Sequence, residues 1–147
     1  MDILELDALE LSSALERRDL SVREVMQATL DRIAAVNGTV NAIVSLRDPD
    51  ALLAEAAAAD NSPRGGWLHG IPIAIKELAN AEGLPTSQGS PIFAGQMAVQ
   101  DDLPVARIRA AGAIVIGKTN TPEFGLGSHT YNPVHGATTN PYDPVRS

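Results

Sequence analysis

Two short apolar runs, Ile71-Pro-Ile-Ala-Ile75 and Ala113-Ile-Val-Ile116, constrain the fold of this chain more than any other feature. Each is apolar at successive positions, so both faces of the strand it would form are hydrophobic, as in a strand covered by a layer on either side. Pro72 has no N–H to give to a ladder and belongs at the start of its strand. Between the runs, Asp102 to Ala111 reads as a helix that stops at Gly112. Two strands joined by a helix in this order pair in parallel through a right-handed crossover, so the expected unit is βαβ.

What precedes this unit has a different composition. Residues 1–60 carry 12 acidic and 5 basic residues, one Gly and one Pro, whereas residues 61–147 carry 6 of each charge and nearly all the glycine and proline. The expected organisation is therefore a helical N-terminal layer over 1–60 and the first part of an α/β core over 61–147, together one incomplete domain. Asp7 with Glu10 and Ser21 with Glu24 have capping-box spacing, so a helix should start after each. The second carries a stripe of Val22, Val25, Met26, Leu30, Ile33 and Val36 and is expected to end at Asn37-Gly38. Asp48-Pro49 opens a third helix through the alanine run. The fold class is α/β: a helical layer followed by the first strands of a mixed, partly parallel sheet.

Charge and composition remove several functions. A net charge of −7 and no cysteine argue against a nucleic-acid surface, disulfides, thiolate metal sites and a Cys nucleophile. Residues 1–10 alternate leucine with carboxylates, unlike a signal peptide, and no apolar run approaches the roughly 20 residues of a membrane helix, so a cytoplasmic location is expected.

Both lysines of the chain, Lys76 and Lys118, fall at the ends of the two apolar runs, where open α/β sheets place their ligands. Alternation sets Lys76 on the face of Pro72 and Ala74, a setting that would desolvate the amine and lower its pKa into the range of a base; Lys118 is expected to point to water. Gly112-Ala-Ile-Val-Ile-Gly117-Lys118-Thr119 matches the P-loop pattern by letter, but the strand lies between the glycines and Thr119-Asn-Thr-Pro122 starts no helix, so nucleotide binding is rejected. His69, His129 and His135 lack metal-ligand spacing and read as hydrogen-bonded loop residues. Asp101 and Asp102 adjoin a helix start, where Asp is an ordinary cap. No metal or cofactor is expected.

Three blocks taken together carry a resemblance. Gly70-Ile-Pro-Ile-Ala-Ile-Lys76-Glu77, then Gly117-Lys-Thr-Asn-Thr-Pro-Glu123-Phe-Gly125, then Asn132-Pro-Val-His-Gly136 with Asn140-Pro-Tyr-Asp143 and Arg146, resemble the opening half of the amidase signature family. The resemblance implies an incomplete α/β/α amidase fold, with Lys76 as the base of a Ser, cis-Ser, Lys triad that cleaves a carboxamide to carboxylate and ammonia. Glu77 departs mildly from the Asp most common after that lysine. Gly125 and Gly127 match a substrate-pocket wall by family position, and a plain tight turn is the alternative. The family's Gly-Gly-Ser-Ser-Gly-Gly run is absent, and Ser147 matches the linker ahead of it, so the chain by itself should be inactive. The implied partner is a small-molecule amide, with no nucleic acid contacted directly and no membrane. Alternatives are the amidase subunit of a tRNA-dependent amidotransferase, and a non-catalytic interaction module that self-associates through its exposed sheet edge.

Overall fold

The computed structural model describes residues 2–146. Helix α1 (Ala8–Arg17) and helix α2 (Val22–Val40) each begin in a reciprocal capping box, Asp7 with Glu10 and Ser21 with Glu24, as their spacing predicts. The Glu24 carboxylate accepts from the Ser21 amide at 2.8 Å and the Ser21 hydroxyl at 2.7 Å, and these bonds hold its pKa below the ordinary glutamate value. Helix α3 (Pro49–Asp60) starts at Asp48, and its last residue caps a neighbour: Asp60 accepts from the Val22 amide at 2.6 Å.

Helix α2 does not stop at Asn37-Gly38. It continues to Val40, because the Asn37 side chain reaches forward and accepts from the amides of Ala42 (3.0 Å) and Ile43 (2.8 Å), while Asn41 takes the left-handed turn that ends the helix.

The main sheet has three strands in the order β1-β3-β2, with β1 at Ile43–Leu46, β2 at Pro72–Lys76 and β3 at Ile114–Thr119. Strands β2 and β3 are parallel neighbours, with Pro72 opening β2 as expected; β1 is antiparallel to β3. The sheet is therefore mixed and partly parallel. Strand β1 has no counterpart in the sequence reading. At four residues, one of them Ser45, it lacks the two-faced apolar run that marks the other strands.

Helix α4 (Leu103–Ala110) lies between β2 and β3 in sequence. Apolar residues divide between the faces of the sheet. Leu15, Val25, Met26, Leu30, Leu52 and Ala56 from α1, α2 and α3 pack with Ile114 and Ile116, whereas Val105 of α4 packs with Ala81, Leu84, Ile75 and Val115. This is the helix, sheet, helix layering that explains why both strands are apolar throughout. Asp102 precedes α4, but its carboxylate does not cap the helix: it accepts instead from the Asn80 amide at 2.8 Å and so ties down the segment after β2.

One irregularity decides where the lysines go. In the β2–β3 register Ile73 faces Val115 and Ala74 faces Gly117, so Ile116 is an extra residue on β3. Beyond it the parity changes, and Lys118 pairs with Ile75 on the α4 side of the sheet. Gly117 is required on its other flank, since a Cβ there would collide with the Ser45 carbonyl of β1.

The remainder is a two-stranded hairpin, β4 (Tyr131–Asn132) with β5 (Gly136–Ala137), fastened to the end of α2. Asn41 donates to the carbonyls of His135 (2.8 Å) and Ala137 (3.0 Å), and the Thr139 amide donates to Val40 at 2.9 Å. Among the described residues, no helix is long and apolar enough to cross a membrane.

Candidate active site

The carboxyl ends of β2 and β3 gather the chemically capable side chains, where an open α/β sheet puts a ligand. Lys76 is the last residue of β2, paired with Thr119, and its side chain is exposed. That differs from the expectation of a buried amine: Pro72 and Ala74 on the same face are only half-buried, so within residues 2–146 nothing strips water from Lys76. The amine makes no hydrogen bond or ion pair with any described residue.

Glu77 follows immediately and turns the other way, as alternation predicts. It is fully buried; its carboxylate accepts from the amide of Ser87 and from that of Gly89 (3.1 Å), and its own amide donates to Thr119 at 2.9 Å. His135 comes within 3.7 Å of the same carboxylate and 3.3 Å of the Ser87 hydroxyl. These three side chains have the composition of a hydrolytic triad but not its geometry. One ring nitrogen, Nε2, faces both the acid and the hydroxyl, so the ring cannot relay a proton between them.

Lys118 is the larger surprise. Rather than pointing to water it is fully buried, because β3 runs on to Thr119 and the extra residue turns Lys118 inward. Its Nζ donates to the Ala79 carbonyl at 2.7 Å, the Pro85 carbonyl at 3.2 Å and the Thr86 hydroxyl at 3.0 Å. Burial pushes its pKa below the ordinary lysine value, and the Glu77 and Asp102 carboxylates pull it part of the way back. The Gly-Lys-Thr triplet thus lies inside a strand, with no loop to wrap a phosphate.

Next to these ends a cavity of about 410 Å³ is lined by Glu123, Phe124, Gly127, His129, Tyr131 and Asn132, among others. Gly127 is on its wall. Gly125 is not among the lining residues; it sits in a tight turn with φ of 72°, and a Cβ there would come within 2.8 Å of Leu78. The pocket is held by Asn132, which the sequence reading placed in a motif without giving it a task. Asn132 accepts from the amides of Val134 (2.9 Å) and His135 (2.7 Å), and donates to Asn120 Oδ1 (2.7 Å) and the Thr121 carbonyl (2.8 Å). An Asn followed by Pro is the signal that could have found it, since asparagine commonly bonds the backbone two residues on.

A larger groove of about 540 Å³ lies between the start of α2 and the end of α3. Several of its polar groups are already engaged: Asp60 caps α2, Arg64 donates to Ser12 at 2.6 Å, and His69 Nε2 lies 3.1 Å from the Ala59 carbonyl. Among the described residues no three His, Asp or Glu side chains stand close enough to hold a metal. Ser147 lies outside the described residues.

The layered α/β sheet thus brings a lysine and a buried glutamate to the carboxyl end of a parallel strand, beside a glycine-turned pocket. Comparison with known proteins makes the assignment specific: residues 24–147 match the Amidase family, and the chain belongs to the amidase signature family. It is 43% identical over 150 residues to the glutamyl-tRNA(Gln) amidotransferase subunit of Rhodococcus erythropolis, covering 99% of this chain and 30% of that protein. It is also 43% identical over 140 residues to the indoleacetamide hydrolase of Bradyrhizobium diazoefficiens, covering 93% of this chain and 27% of that one. Among solved structures, the native peptide amidase of Stenotrophomonas maltophilia superposes with a TM-score of 0.85 at 36% identity, over 97% of this chain and 31% of its own. The chain thus spans about 30% of the length of the relatives it matches.

Proposed function

We propose that this chain carries the base of an amide-cleaving active site of the Ser, cis-Ser, Lys kind, with Lys76 as that base. The observation that supports this most is the pairing of Lys76 with its neighbour. The amine stands free at the carboxyl end of a parallel strand, while the adjacent carboxylate is turned inward and occupied by Ser87 and Gly89. A carboxylate paired with the amine would hold its proton on and defeat a base. Neutral Lys76 would take a proton through one serine from a second, which attacks the amide carbonyl. Neither serine of the Gly-Gly-Ser-Ser-Gly-Gly run is in these 147 residues. They, and the desolvation of Lys76, are assigned to the part of the relatives' length that this chain does not cover.

Within the family, the reading favoured is the corresponding subunit of a glutamyl-tRNA(Gln) amidotransferase, on identities of 43%, 40% and 41% to those of Rhodococcus erythropolis, Acidothermus cellulolyticus and Salinispora arenicola across 99% of this chain. A free-standing amide hydrolase is the second reading, favoured by the indoleacetamide hydrolase and peptide amidase likenesses. Gly127, on the pocket wall, is assigned to substrate binding and Gly125 to shaping the turn that presents it. The test replaces the matching segment of the Rhodococcus amidotransferase protein with this chain, and likewise in the Bradyrhizobium hydrolase. The hybrid amidotransferase should support amide transfer better than the hybrid hydrolase supports hydrolysis, and Lys76→Ala should lower acylation by roughly 10²–10⁴ in either. Full acylation in the Lys76→Ala hybrids would end the assignment; the opposite ranking of hybrids would favour the hydrolase.

A further inference from the structure

Lys118 is used by nothing so far described, yet a fully buried ammonium is costly unless its bonds serve some arrangement. Its three acceptors all belong to one segment: Ala79, Pro85 and Thr86 lie in the connection that leaves β2 at Lys76. Further along the same connection, Ser87 and Gly89 are held by Glu77. The Ala79 amide donates back to the Lys76 carbonyl at 3.0 Å, so the segment's first turn closes on the strand end itself. Neither charge meets Lys76, and both grip the chain that immediately follows it.

We propose that Lys118 is a positioning residue for Lys76: through Ala79, Pro85 and Thr86, and together with Glu77, it clamps residues 77–89 to β3 and so fixes the direction in which the Lys76 amine leaves the sheet. The inference rests on the reading of Lys76 as base, but the clamp can be tested without any turnover. The extra residue Ile116 supports it, since the changed parity is what carries Lys118 under this segment. Burial lowers the Lys118 pKa, but each of the three ammonium donors has an acceptor in place, and those bonds favour the charged form that grips the segment.

The experiment is ¹⁵N relaxation and amide hydrogen exchange on the 147-residue chain, comparing the parent with Lys118→Met and Thr86→Val. In Lys118→Met, order parameters from Lys76 to Gly89 should fall from about 0.85 toward 0.6, while Val25 and Leu30 of α2 stay rigid. The Ser87 and Gly89 amides should exchange at least ~100-fold faster, against less than ~10-fold for Leu30. Thr86→Val, which removes one acceptor and keeps the shape, should loosen the same residues by a smaller factor and decides the matter if Lys118→Met does not fold. The parent should also show a Lys118 ammonium resonance with protected protons. Uniform loosening, equal at Leu30 and Ser87, would reduce Lys118 to a structural residue and overturn the proposal, as would unchanged order at Lys76. Either result leaves the Lys76 reading standing, because that reading fails only on the acylation rates of the Lys76→Ala hybrids.

Discussion

Replacing Asn132 by leucine tests whether the pocket is held by one side chain. The two residues have similar shape, so the change removes four hydrogen bonds without opening a large cavity. The losses are unequal. The Val134 and His135 amides are only part-buried, so water can replace the lost oxygen at about 0.5–1 kcal/mol each. On the other side the bonds to Asn120 and Thr121 are buried. Asn120 Oδ1 keeps the Thr121 amide at 2.9 Å, but the Thr121 carbonyl is left without this donor, a stranding worth about 1–3 kcal/mol. Leucine recovers some apolar burial, so the net loss should be about 3 kcal/mol, a large share of the ~5–15 kcal/mol that holds a domain. Asn132→Asp keeps the acceptor for the two amides but points a second oxygen at two oxygens, so it should cost at least as much as leucine. Urea unfolding at matched slope measures both. A loss below about 1 kcal/mol for leucine, or an aspartate variant as stable as the parent, would show that the donor half of Asn132 does not hold this loop.

Three further outcomes are expected. The 147-residue chain alone should give no turnover of simple carboxamides, because a base without its nucleophile forms no acyl-enzyme; turnover that disappears in Lys76→Ala would refute this. Because the folded pKa of Lys118 lies below its unfolded value near 10.4, the unfolded state binds more protons between the two. The stability of the parent relative to Lys118→Met should therefore rise as pH increases through that window, by at most about 1.4 kcal/mol per pH unit, and a difference in urea midpoint between the two that stays flat or falls as pH is raised toward the unfolded value would contradict it. The chain should self-associate as its concentration is raised, since β2 is an open edge of its sheet and Ile92, Val99, Leu103 and Leu126 are exposed; a single 15.4 kDa species in sedimentation at every concentration would count against it.

What the sequence made legible were features that act within one turn or one strand. Asp7, Ser21 and Asp48 each cap the helix that their spacing predicts, because a cap needs only the next three amides. The parallel pair followed from two runs apolar on both faces. Strand β1 was not legible, since three half-buried residues and an exposed Leu46 become a strand only when β3 offers them an edge. The stop at Asn37 was misplaced for a related reason: the asparagine commits its side chain to Ala42 and Ile43, partners that exist only once the chain turns into β1. Asp102 likewise serves Asn80, far away in sequence, in place of its own helix.

The two lysines show how a single residue can invert a local reading. Strict alternation along β3 would set Lys118 with Ile114 and Ile116, on the face covered by α1, α2 and α3, and no periodicity in Ala113-Ile-Val-Ile-Gly-Lys118 announces otherwise. With Ile116 as the extra residue, Lys118 shares a face with Ile75 and lies beneath the Ala79–Thr86 segment. Burial then falls on the lysine expected in water, and exposure on the one expected to be buried. The chemistry separates along the same line. A charged ammonium has no lone pair to take a proton from a serine, and the Lys118 donors are all committed to the Ala79–Thr86 segment, so in this arrangement Lys118 acts as a donor and not as the base. Lys76 has no partner among the described residues, which leaves its amine open for the role proposed for it.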